Sequence, residues 1–273
     1  MSDAERLQGY VEAWEVATAD AAGLLRSLDP SDWEKPTDLP GWDVRCVAAH
    51  LAHLESELAG LPQEQVDVPE AAHIKGIMGQ FTEMGPIARA DWTTDQIVDQ
   101  FEEAVAIRAK ALHDDPPIEA SAPGPGFAAL IGWSWETLLS NRPLDVWMHE
   151  QDVRRAVGRP GGLDSVAATH VANVFAKSLP YVLAKRLGAA PGTTAVLEVT
   201  GLNARTVAAG VGEDGRGAPL RETPADPTTR ITIDFESWTI LAGGRRTPEH
   251  VTARIDGDQE LGRSILDNLA VTP

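Results

Sequence analysis

Asp145, His149 and Asp152 stand at spacings of four and three within PLDVWMHEQDVRRAVGRP, residues 143–160. On a helix turning by about 100° per residue, the three side chains fall within roughly 60° of one another. Val146, Val153 and Val157 flank this stripe, so the polar groups border an apolar face. Carboxylates and imidazoles are costly to bury unless they are paired or bound to a cation. An aspartate and a histidine four residues apart can direct an oxygen and a nitrogen at one point. A second stretch, LPGWDVRCVAAHL, supplies a complement: Val44, Val47, Ala48, Leu51, Leu54 and Leu58 form an apolar face with His50 at its edge. His53 falls about 140° from that face and is expected in solvent. If the two helices meet in a bundle, His50, Asp145 and His149 form a two-histidine, one-carboxylate set with an open position. Such a set suits catalytic Zn²⁺, and also Ni²⁺ or Fe²⁺. On the residues alone, a hydrogen-bonded core histidine and a helix-surface Asp145–His149 ion pair remain alternatives.

The elements that must position these residues read as follows. The first ~165 residues are helical in pattern: Leu7, Val11, Trp14, Ala17, Ala21 and Leu25 recur at three- and four-residue steps. DPSDWEKPTDLPGW breaks that helix with three prolines. A second runs from about Val44 to Leu58 with Asp43 as its N-cap, and a third lies near EAAHIKGIMGQFTEMG. A fourth starts at Thr93–Thr94–Asp95 and stops before Pro116. A last helical stretch covers 135–158, where Pro143 either kinks the helix or opens a new one and Gly158 ends it. After RPGGLD the pattern changes. SVAATHVANVFAKSLPYVLAKRL reads as one helix, TAVLEVTG, ARTVAAGVG and TRITIDFES read as strands, WTILAGG and a strand-like HVTARIDG follow, and DQELGRSILDNLAV closes as a helix. The organisation is an all-helical domain over 1–165 and a smaller α+β domain over 166–273.

Composition narrows the function classes. Forty-one acidic against 23 basic residues give a net charge of −18, which repels phosphate backbones and anionic bilayers, so neither nucleic acid nor membrane is an expected partner. The single cysteine, Cys46, rules out an internal disulfide and fits a reducing, cytoplasmic setting. Its apolar neighbours predict a small buried thiol rather than a nucleophile. No signal peptide or membrane-spanning run is expected. GVGEDG at 210–215 satisfies Gly-x-Gly-x-x-Gly, but RGAPLRETPADP cannot supply the helix that a dinucleotide site needs. His149–Glu150 starts like a zinc-protease motif, and Val153 occupies the place of its second histidine.

The segments LPGWDVRCVAAHL and RPLDVWMHEQDVRRAVGRP resemble the two signature segments of the mycothiol-dependent maleylpyruvate isomerase family. The tail WTILAGGRRTPEHVTARIDGDQELGRSILDNL resembles that family's C-terminal domain. The resemblance implies a DinB-like four-helix bundle followed by an α+β module akin to sterol carrier proteins. It also implies that His50, Asp145 and His149 bind a divalent metal, usually zinc. This chain has Asp145 where the isomerase is thought to use glutamate, one methylene longer. Asp152 is the natural support for a ligating imidazole, with a salt bridge to Arg155 or Arg154 as the alternative. The resemblance further implies mycothiol, the low-molecular-weight thiol of actinobacteria, as cosubstrate, activated to attack a small electrophile. Loss of the thiol after bond rotation gives cis–trans isomerisation, and retention gives S-transfer. Arg245 and Arg246, which could reach a cleft between the domains, are candidate clamps for an anionic substrate. A metal-dependent hydrolase and a non-catalytic metal-stabilised binding protein remain alternative readings; the oligomeric state is left open.

Overall fold

A computed structural model of the protein describes residues 1–272. The chain divides into two compact units, Met1–Gly162 and a second that begins at Leu163. Each element of the first unit starts where the sequence offers a cap. Helix α1 (Asp3–Arg26) opens on a capping box between Ser2 and Glu5, and buries Leu7, Val11, Trp14, Ala17, Ala21 and Leu25. Helix α2 (Val44–Leu58) is capped by Asp43, whose carboxylate accepts the Cys46 amide at 2.8 Å. Helix α3 (Gly76–Ala88) carries Pro86. Helix α4 (Thr94–Asp114) opens on a Thr93–Gln96 capping box. A single turn, α5 (Phe127–Leu130), precedes α6 (Trp135–Val157). Helix α6 runs unbroken through Pro143 and stops at Gly158, whose φ of 70° is the left-handed conformation glycine adopts at little cost. Helices α1, α2, α4 and α6 form a four-helix bundle, with α1 on α6 and α4, and α2 on α4 and α6; α3 packs on α2. No helix among the described residues is long and apolar enough to cross a membrane.

The second unit is α+β. Helix α7 (Val166–Ala176) is capped by Ser165; a short turn, α8 (Leu179–Tyr181), and a wide turn over Val182–Arg186 follow. The single helix expected over 165–187 is therefore broken, at the approach to Pro180, where an amide donor is missing. Strands β1 (Thr194–Thr200), β2 (Arg205–Val211), β3 (Gly217–Pro219), β4 (Thr229–Asp234) and β5 (Ala253–Gly257) form one sheet in the order β3-β2-β1-β4-β5. The β1–β4 pair is parallel and the other pairs are antiparallel. The GVGEDG stretch is the turn between β2 and β3. Strand TRITIDFES ends early: Asp234 accepts the Ser237 amide and starts α9 (Phe235–Ala242), which also takes in WTILA. Helix α10 (Gln259–Asp267) closes the unit, and Phe175, Phe235 and Trp238 lie together in its core.

Candidate metal centre

The Asp43 cap fixes where α2 begins and so which residues face the bundle. Val44, Val47, Ala48 and Leu51 fill its interior, and His50 is buried beside them. From α6, Asp145 and His149 approach the same point. His50 Nε2 lies 3.7 Å from Asp145 Oδ2, and His149 Nε2 lies 3.6 Å from Asp145 Oδ1. One donor atom from each of the three residues falls within 4.8 Å of the others. These gaps are too long for hydrogen bonds. Two ligands about 2.1 Å from a tetrahedral zinc would stand about 3.4 Å apart, close to the distances seen. Neither ring nitrogen of His50 has a hydrogen-bond partner among the described residues. A buried imidazole with both nitrogens unmet is costly, and a cation that accepts one lone pair would remove much of that cost. The donor set and spacing thus fit a divalent metal.

Burial depresses the His50 pKa, outweighing the neighbouring Asp145 charge, and so favours the neutral imidazole that a metal requires. Burial alone would raise the Asp145 carboxyl, but the charge of Arg142, followed by the two histidines, holds it well below the usual carboxylate range. His149 is held from behind. Its Nδ1 is 3.2 Å from Asp152 Oδ2, an ion-pair distance without the alignment of a full hydrogen bond. Asp152 Oδ1 pairs with Arg155 at 2.5 Å, and Arg155 Nε reaches Asp38 Oδ2 at 3.0 Å. One Asp152 oxygen thus faces the imidazole and the other takes Arg155. Arg154 pairs instead with Glu150.

Three features were not singled out from the sequence. The Trp42 ring lies 4.9 Å from the His50 ring and is stacked at 6.0 Å on His149, while its Nε1 donates to Glu83 Oε1 at 2.6 Å. His73 Nε2 is 3.1 Å from the same Glu83 oxygen. Next to the candidate ligands is a buried charge chain: Glu55 Oε2 accepts from Arg108 at 2.7 Å, and Glu55 Oε1 accepts from Trp14 at 3.1 Å and twice from Arg142. Arg142 also donates to Asp145 Oδ2 at 2.9 Å. A carboxylate at i+5 from His50 and an arginine at i−3 from Asp145 were the available signals.

His53 is not in solvent. It is 2% exposed, its ring tilted against Phe81 at 5.4 Å, and Gly85 of α3 comes so close that a Cβ there would lie 2.7 Å from the His53 Cβ. The wheel placed it correctly relative to the α2 apolar face, but α3 covers that second face. Cys46 is partly buried, and burial raises its thiol pKa to about 11, so it is no thiolate at neutral pH. Trp147 is packing, fully buried with its Nε1 donating to Gly162 O. Arg245 and Arg246 belong to the second unit, just past α9, where Arg245 donates to Gly243 O.

No curated protein matches the chain. Two crystal structures of the mycothiol-dependent maleylpyruvate isomerase, one of a histidine-to-alanine mutant, match with TM-scores of 0.54 and 0.52. Each is 16% identical and covers 93% of this chain and 95% of the other. At that identity the likeness is one of fold. The mycothiol maleylpyruvate isomerase N-terminal domain model matches residues 14–154, a span that holds α2, α4, most of α6 and all three candidate ligands. The chain belongs to the mycothiol maleylpyruvate isomerase N-terminal domain family.

Proposed function

We propose that the bundle holds one divalent cation, zinc before nickel or iron, between His50, Asp145 and His149. On this reading the protein is an enzyme that activates mycothiol, or a closely related low-molecular-weight thiol, for attack on a small electrophile. The observation that carries it is the convergence of two imidazoles and one carboxylate on one buried point with unmet ring nitrogens, His50 and Asp145 being 95 positions apart in sequence. A divalent cation with an open position lowers the pKa of a thiol bound to it.

The chain's own residues do the rest. His50 presents a neutral nitrogen, Asp152 lies behind the His149 ring with Nε2 on the inward side, and the Trp42 ring lies beside both imidazoles. Cys46, whose thiol burial pushes up to about 11, is a poor nucleophile at neutral pH, which is consistent with a separate thiol in that role. Attack of its sulfur on a conjugated double bond forms a C–S bond and moves the electron pair onto the neighbouring carbonyl. After rotation about the new single bond, the reverse step expels the thiolate and leaves the isomerised alkene. If the C–S bond is kept, the outcome is S-transfer. Asp152 as the support for His149, and Arg245 and Arg246 as clamps for an anionic electrophile, are part of the same proposal.

Metal analysis of protein purified without chelator or His-tag tests this. About one equivalent of zinc or nickel is expected, lost in His50→Ala, Asp145→Ala and His149→Ala and kept in His53→Ala, with turnover of maleylpyruvate-type electrophiles only when the thiol is added. Normal metal loading in all three ligand variants would overturn the site.

A further inference from the structure

Arg142 is the third member of a buried chain, Arg108–Glu55–Arg142–Asp145, and its guanidinium is divided between two carboxylates. Nε and Nη2 both donate to Glu55 Oε1, at 3.0 and 2.8 Å, and Nη1 donates to Asp145 Oδ2 at 2.9 Å. Glu55 is itself immobile: it is 0% exposed, with Trp14 Nε1 on Oε1 and Arg108 Nη1 on Oε2. Arg108 in turn lies 4.6 Å over the Trp14 ring. A guanidinium is planar and rigid, so fixing two of its nitrogens fixes the direction of the third. Nη1 is therefore a peg whose position is set by Glu55, not by Asp145.

The consequence falls on the carboxylate. Aspartate bound to a divalent cation can use one oxygen or both. A carboxylate that turned to use both would occupy the position that an incoming thiol needs. Here Oδ2 takes the peg and lies 3.7 Å from His50 Nε2, while Oδ1, 3.6 Å from His149 Nε2, receives nothing from Arg142 and keeps its lone pairs for a cation. We propose that Arg142 is a positioning residue that restricts Asp145 to ligation through Oδ1 alone and so keeps one coordination position open for the thiol. This rests on the metal reading of His50, Asp145 and His149. Arg142 touches neither thiol nor electrophile; it acts through Asp145.

The test is cobalt substitution of the full chain, comparing the wild type with Arg142→Lys and Arg142→Gln. Lysine keeps the charge but has one ammonium, which cannot span both carboxylates, so it remains informative if the glutamine variant fails to fold. The wild type is expected to give an intense visible cobalt band of a four-coordinate site. It should also give a sulfur-to-cobalt charge-transfer band on titration with 2-mercaptoethanol. In the variants cobalt still loads, the visible band weakens about twofold or more as the second oxygen joins, and 2-mercaptoethanol binds about tenfold or more weakly. An arginine that merely stabilised the bundle would lower the unfolding midpoint and leave both bands alone. Variants with the wild-type band and a thiol titration within about twofold of it would overturn the role of Arg142 alone. A wild type that takes up no cobalt would overturn the metal reading and this one with it.

Discussion

His53 supplies a sharp pH test of how the bundle is packed. The ring is 2% exposed, and burial, with the charge of Arg89 as the next cause, lowers its pKa from the ordinary 6.5 to about 4. The folded state therefore binds fewer protons than the unfolded state between those values. Stability is full above pH 6.5, falls as the pH drops through the window, and levels off below about 4. A gap of 2.5 pH units at about 1.36 kcal/mol each amounts to about 3 kcal/mol, of which about 2 is lost by pH 5. The measurement is urea unfolding from pH 7.5 to 4.5, in the presence of EDTA, for the wild type and His53→Gln. Seven of the eight tryptophans lie in the first unit, Trp238 being the exception, so tryptophan emission follows the bundle. Other titrating groups are shared by both proteins and cancel in the difference. The stability difference, wild type minus variant, should fall by about 2.5 kcal/mol from pH 7.5 to 4.5. A difference that stays flat across that range would mean that His53 titrates as an exposed imidazole, and would refute the packing of α3 over α2.

Two further outcomes are expected. Glu55→Gln removes the carboxylate that Arg108 and Arg142 share, and should cost about 3–5 kcal/mol in urea unfolding at pH 7; a cost under about 1 kcal/mol would show that the chain is not a buried ion network. Cys46, with its thiol pushed up to about 11 from an ordinary 9.0, should react with a disulfide reagent at pH 8 about 100-fold more slowly than free cysteine on thiolate fraction alone, and reaction at the free rate would contradict its burial.

How far the sequence could be read differs by element. Helix α2 was legible to the residue, because Asp43 is a capping side chain directly before an apolar repeat and nothing in the tertiary structure competes with it. The ends of α4 and α6 were legible for the same reason, through Thr93 and Gly158. Pro143 left two readings open, since an internal proline can kink a helix or start one, and the packing of α6 against α1 settles it as a continuous helix. His50, Asp145 and His149 could be picked out by periodicity and joined on the condition that their helices meet, but spacing within one helix says nothing of which helix it will face, so alternatives stayed open until the resemblance to a known family favoured the set. Glu55 and Arg142 escaped notice because their meaning lies in partners 87 positions apart. His53 was misplaced for a related reason: a helical wheel defines one apolar face, and α2 is covered on two. In the second unit, Asp234 and Pro180 marked breaks that apolar alternation alone did not show.

The pairing of α1 with α6 has a consequence for biosynthesis. The first helix of the bundle finds its main neighbour only after residue 157 has been made, and His50 meets Asp145 across a loop of 94 intervening residues. Closing so long a loop is entropically costly before any contact rewards it, so the bundle is completed only when α6 closes back on α1 and α2. A ribosome-bound chain that stops short of α6 would leave the α6-facing side of α1 uncovered and hold only one of the three candidate ligands. Chaperone demand should therefore be greatest while residues 60–135 are being synthesised, and should fall once α6 clears the exit tunnel.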